Sequence, residues 1–361
     1  GQKITIADVD GDGHAEIFLL AHNGRLYCYN YNGGVRWVSP NTIDYRFIIQ
    51  AADINNDGNA EIVAGGNIFN AITGTILLQG EMAQSGIGFG APHSVDYLMA
   101  EQGYYYLFAL VDIDGDGTLE ICAGNTIYKA VIANTNGTPG NSWSILRQAQ
   151  PIEGITNYDG QTIVTDFDGD GHVDICVIGT THNIQQISTA PYQTHVTNTY
   201  VWDGQTSNII SHASATFTYQ VSATIPYCGD LDGNGTPEIL FSSLSNGMFA
   251  YTFDTTQANN MRLMHHSSLL GESSGFTVFD FNQDGREEIV YRGYSQLYIV
   301  DGITLQNLCT PVTAHSGTIT EYPIVADVNG DGHAEIILTR ADVSWDDNPH
   351  SNGRPDRKSV V

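Results

Sequence analysis

The chain has 361 residues, of which 41% are hydrophobic, so it can bury a large core and is not globally disordered. It carries 40 Asp and Glu against 13 Lys and Arg, and the resulting net charge of −27 argues against nucleic acid or an anionic membrane surface as a partner. Because no apolar run reaches about eighteen residues, we expect no membrane insertion.

A ten-residue motif recurs seven times along the chain, at spacings between 45 and 64 residues. It reads Asp, an apolar residue, Asp or Asn, any residue, Asp or Asn, Gly, any two residues, Glu or Asp, and Ile. The copies begin at Asp8, Asp53, Asp112, Asp166, Asp230, Asp280 and Asp327. Chance does not produce such regularity, so the chain is built from structural repeats.

Short apolar stretches flank each motif and predict β-strands. In the first repeat they cover residues 4–7 and 17–20, and two further stretches cover 25–30 and 35–38. Apolar runs of this length, rich in β-branched residues, are typical of strands buried on both faces. Four antiparallel strands per repeat of about 50 residues predict the blade of a β-propeller. A stack of two-stranded units is the alternative, which the third and fourth stretches disfavour.

The motif itself predicts a metal-binding turn between the first two strands. In the first copy, Asp8, Asp10 and Asp12 occupy positions one, three and five, the His14 carbonyl lies at seven and Glu16 at nine. A glycine at position six permits the sharp turn, as in the EF-hand loop. Oxygen ligands at this density select Ca²⁺ over Zn²⁺, which prefers His and Cys.

The same positions predict up to seven calcium sites. Copies one, three and four carry four carboxylates each, whereas the other four copies have an Asn at position three or five. We therefore expect copies one, three and four to bind Ca²⁺ first. The predicted ligands are Asp8, Asp10, Asp12, His14 and Glu16; Asp53, Asn55, Asp57, Asn59 and Glu61; Asp112, Asp114, Asp116, Thr118 and Glu120; Asp166, Asp168, Asp170, His172 and Asp174; Asp230, Asp232, Asn234, Thr236 and Glu238; Asp280, Asn282, Asp284, Arg286 and Glu288; and Asp327, Asn329, Asp331, His333 and Glu335.

These repeats resemble the FG-GAP repeats of integrin α-subunit propellers and the related bacterial VCBS repeats, of which the bacterial surface-protein form is the closer match. The resemblance covers residues 1–343 and leaves 344–361 as an irregular tail. It implies an all-β fold, a seven-bladed β-propeller of four-stranded antiparallel blades. Because residues 340–361 leave room for at most a short third strand near 359–361, we expect the seventh blade to be incomplete and the chain to be a fragment of a longer surface protein.

Calcium is expected to be a structural cofactor of this chain. Seven Ca²⁺ ions would change the net charge from −27 to −13. Without them each loop crowds like charges together, which opposes folding. Calcium sites of extracellular modules typically have dissociation constants of about 10⁻⁴ to 10⁻³ M, so they fill outside cells. The sequence therefore predicts an extracellular protein, secreted or on the cell surface.

Long insertions suggest a ligand-binding face opposite the calcium loops. They cover residues 81–103, 181–198 and 342–356, and long loops on a rigid scaffold often carry binding sites. Neutral loop variation is the alternative. The candidate ligand-binding residues, mostly aromatic, are Phe89, His93, Tyr97, Tyr192, His195 and Trp345. The expected ligand is a glycan or a protein.

Two functions remain open from the sequence. The first is an adhesion or ligand-binding module without catalytic residues. The second is a calcium-dependent polysaccharide lyase, because rhamnogalacturonan lyases have similar calcium-loop propellers. A lyase needs a base near the uronate, for which His93, His195 and Tyr192 are the candidates. The sequence shows no hydrolase, metalloprotease or phosphate-loop motif, so the binding module is preferred.

Overall fold

The computed structural model describes residues 3–43, 47–80, 107–153, 160–182, 195–217, 226–243, 247–267, 275–293, 295–314, 322–340 and 359–360. Throughout these ranges the regular elements are β-strands, and no helix is formed. Accordingly, this part of the chain holds no helix with the length and apolarity needed to cross a bilayer. The all-β prediction is confirmed.

The first three repeats each form a four-stranded antiparallel sheet in which neighbouring strands are consecutive in the chain. The first sheet contains β1 (Lys3–Ala7), β2 (Glu16–Leu20), β3 (Leu26–Tyr29) and β4 (Val35–Val38). The second contains β5 (Gln50–Ala52), β6 (Glu61–Ala64), β7 (Asn67–Asn70) and β8 (Ile76–Leu78). The third contains β9 (Ala109–Val111), β10 (Glu120–Ala123), β11 (Thr126–Val131) and β12 (Ser142–Gln148).

The next three repeats have the same strand order. The fourth sheet contains β13 (Gln161–Thr165), β14 (Asp174–His182), β15 (His195–Asp203) and β16 (Ile209–Phe217). The fifth contains β17 (Tyr227–Gly229), β18 (Glu238–Ser243), β19 (Gly247–Phe253) and β20 (Met261–Ser267). The sixth contains β21 (Gly275–Phe279), β22 (Glu288–Arg292), β23 (Gln296–Val300) and β24 (Val312–Thr313). Four strands per repeat are thus formed as the sequence predicts.

The last repeat forms two short pairs within the described residues. β25 (Ile324–Ala326) pairs with β26 (Glu335–Ile337), and β27 (Thr339–Arg340) pairs with β28 (Ser359–Val360). The strand at 359–360 lies where the sequence predicts a short third strand. Of the predicted tail at 344–361, residues 344–358 and 361 lie outside the described part of the chain.

A β-bulge recurs between the third and fourth strands. The register shifts at Cys28/Tyr29 in the first sheet and at Ala250/Tyr251 in the fifth, and the second and third sheets have the same irregularity. A bulge leaves one residue of the fourth strand outside the regular pairing and re-aims its side chain. In the first sheet that residue is Arg36.

The chain divides into two compact units, and the division passes through the fourth repeat. The first unit contains a core around Phe18, Phe47 and Phe69, and a second core around Tyr200 and Trp202. In the second unit, one core surrounds Phe276 and Tyr291, and another surrounds Val290 and Leu297. Each unit therefore contains apolar cores of its own.

Burial of the strands follows the prediction only in part. Every residue of β6, β10 and β22 is buried, as expected for strands covered on both faces. In β1, however, Ile4 is 60% exposed and Ile6 is 62% exposed, so the predicted burial of residues 4–7 is wrong. An apolar run indicates a strand but does not show whether a neighbouring element will cover each face.

Candidate metal centre

Each motif loop is shaped by its first aspartate. In the first loop, Asp8 Oδ1 accepts the backbone N–H of Gly11 at 2.8 Å, and Asp8 Oδ2 accepts that of Gly13 at 2.9 Å. Further along, Asp12 Oδ1 accepts the N–H of His14 at 2.8 Å. These are local side-chain turns, in which short carboxylates bind backbone groups two to five residues away. The motif therefore folds on its own spacing.

The bond from the glycine at position six recurs in all seven loops. Its N–H donates to Oδ2 of the first aspartate at distances between 2.8 and 3.0 Å. That glycine has φ between +84° and +89° in every copy, a conformation that residues with a Cβ rarely adopt. The predicted role of this glycine in the sharp turn is confirmed.

The acid at position nine is buried beneath the turn, at the start of the second strand. Six of these acids are at most 3% exposed, namely Glu16, Glu61, Glu120, Asp174, Glu238 and Glu288. In the six copies that carry Glu, Oε2 accepts the backbone N–H of the residue at position two, at 2.8 to 3.3 Å. One oxygen of each Glu therefore supports the turn, and the other is available for another partner.

The partner of the second oxygen differs from loop to loop. Glu238 Oε1 accepts the hydroxyl of Thr252 at 2.8 Å, and Glu288 Oε1 accepts the amide of Asn282 at 3.1 Å. Glu61 Oε1 is buried without a hydrogen-bond partner. Burial raises the pKa of Glu61 and of Glu238 to about 7. A bound cation would remove this cost by neutralising the buried carboxylate.

Three carboxylates converge in several loops. Within each group, one oxygen per residue lies within 4.8 Å of the others, the spacing that one metal ion can bridge. The four groups among the described residues are Asp8, Asp10 and Glu16; Asp112, Asp114 and Glu120; Asp166, Asp168 and Asp174; and Asp230, Asp232 and Glu238. In the fourth loop, Asp166 accepts the N–H groups of Asp170 and Gly171. The motif residues thus fit a hard cation bound through oxygen.

Basic side chains reach two of these groups, an arrangement that the motif does not predict. Lys129 Nζ lies 2.8 Å from Glu120 Oε1 and 2.5 Å from Asp116 Oδ2, and Arg36 Nη1 lies 2.7 Å from Asp10 Oδ2. The hydrogen bond from Lys129 lowers the pKa of Asp116 to about 2. The rarity of Lys and Arg in this acidic chain is the sequence signal that could have marked Lys129 and Arg36 as partners of the loop carboxylates.

The histidines at position seven are exposed. His14 stacks on Tyr31 with ring centroids 4.2 Å apart, and His172 Nδ1 lies 2.8 Å from Gln205 Nε2. His333 is exposed as well. In the first, second, third, fifth, sixth and seventh loops, the backbone N–H at position seven donates to the side chain at position five. That bond fixes the local path of the chain at the predicted carbonyl ligand.

The predicted ligand-binding side chains all lie outside the described part of the structure. Five of them lie outside the described residues, namely Phe89, His93, Tyr97, Tyr192 and Trp345. His195 is the first residue of β15, and the structure describes its backbone alone. The ligand-binding face therefore stays a prediction.

Comparison with known proteins supports the repeat assignment. A family model described as an FG-GAP-like repeat matches residues 8–64, 166–241 and 267–338, which include every motif loop except the third. No similar sequence was found among curated proteins. Four-stranded antiparallel sheets in a chain of such repeats support a β-propeller.

Solved structures show a similar fold at low sequence identity. The V. cholerae biofilm matrix protein Bap1 is 14% identical with a TM-score of 0.56, and the match covers 94% of this chain and 74% of that one. The Bacillus licheniformis rhamnogalacturonan lyase PL11 is 16% identical with a TM-score of 0.44, covering 95% and 70%. The Dos1 propeller is 12% identical with a TM-score of 0.48, covering 93% and 75%. At 14% identity the match to Bap1 concerns the fold alone.

The loops, the sheets and the family match lead to one assignment. The family model covers more than half of the chain, and its matched ranges contain six of the seven loops whose first aspartate binds the glycine at position six. The chain therefore belongs to the FG-GAP-like repeat family.

Proposed function

We propose that this chain is a calcium-stabilised, seven-bladed β-propeller that acts outside the cell as a binding module. The proposal includes an incomplete seventh blade; it is supported by the short pairs β25–β26 and β27–β28, which the last repeat forms within the described residues. The calcium ligands are the side chains at positions one, three, five and nine of each loop and the carbonyl at position seven. The bound ion neutralises the carboxylates that crowd each loop.

One observation carries the calcium assignment. Glu61 is fully buried, its Oε2 accepts the N–H of Ile54 at 3.2 Å, and its Oε1 has no hydrogen-bond partner. A buried, unpartnered carboxylate oxygen destabilises a protein unless a cation or a donor meets it. The oxygen donors of this loop match the preference of Ca²⁺, and they include neither the sulfur nor the imidazole that Zn²⁺ favours.

The extracellular location follows from the calcium chemistry. Sites built like these in extracellular modules bind Ca²⁺ with dissociation constants of about 10⁻⁴ to 10⁻³ M. Ca²⁺ at such concentrations is found outside cells and not in the cytosol. A secreted or cell-surface protein would therefore have its loops filled and its sheets stabilised.

The binding role rests on the scaffold and on the long insertions at 81–103, 181–198 and 342–356. We propose a glycan or protein ligand that contacts the face opposite the calcium loops, with Tyr192 and Trp345 among its aromatic contacts. Rigid repeat scaffolds commonly present ligand sites on such loops. If the ligand is a protein, the proposed role is adhesion, as in integrins.

A glycan array screened with and without EDTA tests the proposal. Capture that requires Ca²⁺ and is lost in Trp345→Ala and Tyr192→Ala would support a binding module. Capture that survives both substitutions would place the site elsewhere. Incubation with pectic polymers serves as the enzymatic arm, because eliminative cleavage creates a new ultraviolet absorbance. Such an increase, dependent on Ca²⁺, would replace the binding module by a lyase.

A further inference from the structure

Among the described residues, two basic side chains lie against the carboxylates of motif loops. In the third loop, Lys129 Nζ lies 2.8 Å from Glu120 Oε1, 2.5 Å from Asp116 Oδ2 and 3.4 Å from Asp114 Oδ2. In the first loop, Arg36 Nη1 lies 2.7 Å from Asp10 Oδ2 and 3.4 Å from Glu16 Oε1. Each cation thus contacts residues at positions three and nine, the positions expected to bind Ca²⁺.

The pairing of the strands places both cations. Tyr128 of β11 pairs with Ile121 of β10, so the next residue, Lys129, stands opposite Glu120. Arg36 lies on β4 at the bulge between the pairs Tyr29–Val35 and Cys28–Trp37. The corresponding bulge residues of the second, third and fifth sheets are apolar, namely Leu77, Leu146 and Met264. Among these four sheets, Arg36 is therefore the one basic residue at the bulge.

The second loop shows the same site without a basic partner. Glu61 is as buried as Glu120, and it pairs across the strands with Asn70. The Asn70 side chain is engaged in its own turn, where Oδ1 accepts the N–H groups of Ile72 and Thr73. Glu61 Oε1 consequently has no hydrogen-bond partner, whereas Glu120 Oε1 is bound to Lys129.

We propose that Lys129 and Arg36 are tethered counter-cations that compete with Ca²⁺ for the third and first loops. These loops then bind Ca²⁺ more weakly than their four carboxylates imply. In the absence of metal, the basic side chain already neutralises part of the carboxylate charge. To enter, Ca²⁺ must displace a cation held by charge-assisted hydrogen bonds and kept nearby by the chain. The inference rests on the proposed calcium binding, and it reverses the expectation that loops one and three fill first.

Equilibrium dialysis of the purified chain against CaCl₂ tests this inference. At the free Ca²⁺ concentration that half-saturates the tighter class of wild-type sites, Lys129→Met and Arg36→Met should each bind up to about one more ion per chain, and the double variant up to about two. Arg262→Met is the matched control, since it removes an ion pair outside the loops, from Arg262 Nε to Asp254 Oδ2 at 2.8 Å. Lys129→Gln replaces Lys129→Met if the methionine variant does not fold.

Thermal melting gives a second readout. In EDTA, Lys129→Met should melt at a lower temperature than Arg262→Met, because the third loop loses its built-in cation. Added Ca²⁺ should remove this difference. If the wild type binds Ca²⁺ but the loop variants titrate and melt like Arg262→Met, the counter-cation inference is wrong and the calcium proposal stands. If the wild type binds no Ca²⁺, the counter-cation inference and the calcium proposal are both wrong.

Discussion

Glu61 Oε2 accepts the backbone N–H of Ile54 at 3.2 Å, and this bond holds the carboxylate beneath the second motif loop with its other oxygen buried and unpartnered. The bond joins positions nine and two, and it recurs in all six loops that carry Glu. The acid at position nine thus has two functions. It closes the turn with one oxygen, and in the proposed calcium site the other oxygen binds the ion.

Glu61→Gln should separate these two functions. The amide oxygen can still accept the N–H of Ile54, but the loop loses a charged ligand. We expect the calcium-free protein to melt at a higher temperature than the wild type, because a buried charge is removed. The further rise in melting temperature on adding Ca²⁺ should become smaller. Differential scanning calorimetry in EDTA and in millimolar Ca²⁺ measures both effects.

Glu153→Gln is the control for this substitution, since Glu153 is exposed and lies outside the motif loops. It should leave both melting temperatures unchanged. If Glu61→Gln gains as much from Ca²⁺ as the wild type does, the second loop is not a calcium site.

Stability of the calcium-free protein should increase as the pH is lowered from 8 to 5. Burial raises the pKa of Glu61 and of Glu238 to about 7, whereas an unfolded Glu has a pKa of about 4.3. Between these values the folded state binds more protons than the unfolded state, so stability falls as the pH rises. The carboxyl groups with lowered pKa, such as Asp116 and Asp57, act at lower pH, outside this window.

Saturating Ca²⁺ should reverse this trend. The bound ion requires ionised carboxylates, so lowering the pH from 8 to 5 would weaken binding and reduce stability. Denaturant titrations at the two pH values, each in EDTA and in Ca²⁺, give the four free energies of unfolding. Equal pH dependence with and without Ca²⁺ would show that the buried glutamates do not contact the ion.

Gly13→Ala should destabilise the first loop through the backbone alone. Gly13 has φ of +87°, and a Cβ added there meets no atom within 4 Å. The left-handed conformation costs an alanine about 1–2 kcal/mol. We expect a lower free energy of unfolding and weaker Ca²⁺ binding by this loop, measured by denaturant titration and calorimetric titration. Gly137→Ala, at a position without positive φ and with only ordinary contacts, should change neither.

Cys309 should be the first thiol to react with a maleimide. It is exposed, whereas Cys28, Cys122 and Cys176 are buried, and burial raises the pKa of Cys28 to about 12. Thiolate is the reactive form, so a buried thiol with a raised pKa reacts slowly. Mass spectrometry should find Cys309 labelled first in the native protein, and Cys309→Ser should remove the fast phase. Rapid labelling of Cys122 in native conditions would contradict the buried assignment.

Local features of this protein are readable in its sequence because each depends on a few neighbouring residues. The loop is formed by hydrogen bonds between residues at most seven apart, such as Asp8 with Gly13 and Glu16 with Val9. The strand predicted at 35–38 begins and ends as the structure has it, at Val35–Val38. At position four of two loops, Asn56 and Gln283 adopt the left-handed conformation. The sequence does not predict this conformation, since neither residue is a glycine.

The sequence by itself determined the repeat, the four strands of each of the first six repeats and the ligand spacing, because strand alternation and side-chain turns act over a few residues. Only the tertiary structure decided which charges meet. Lys129 reaches Glu120 because β11 pairs with β10 in one register, and Arg36 reaches Asp10 because a bulge re-aims it. A shift of one residue in either strand pairing would turn these side chains to the other face of the sheet, so their contacts depend on a register that the motif does not encode.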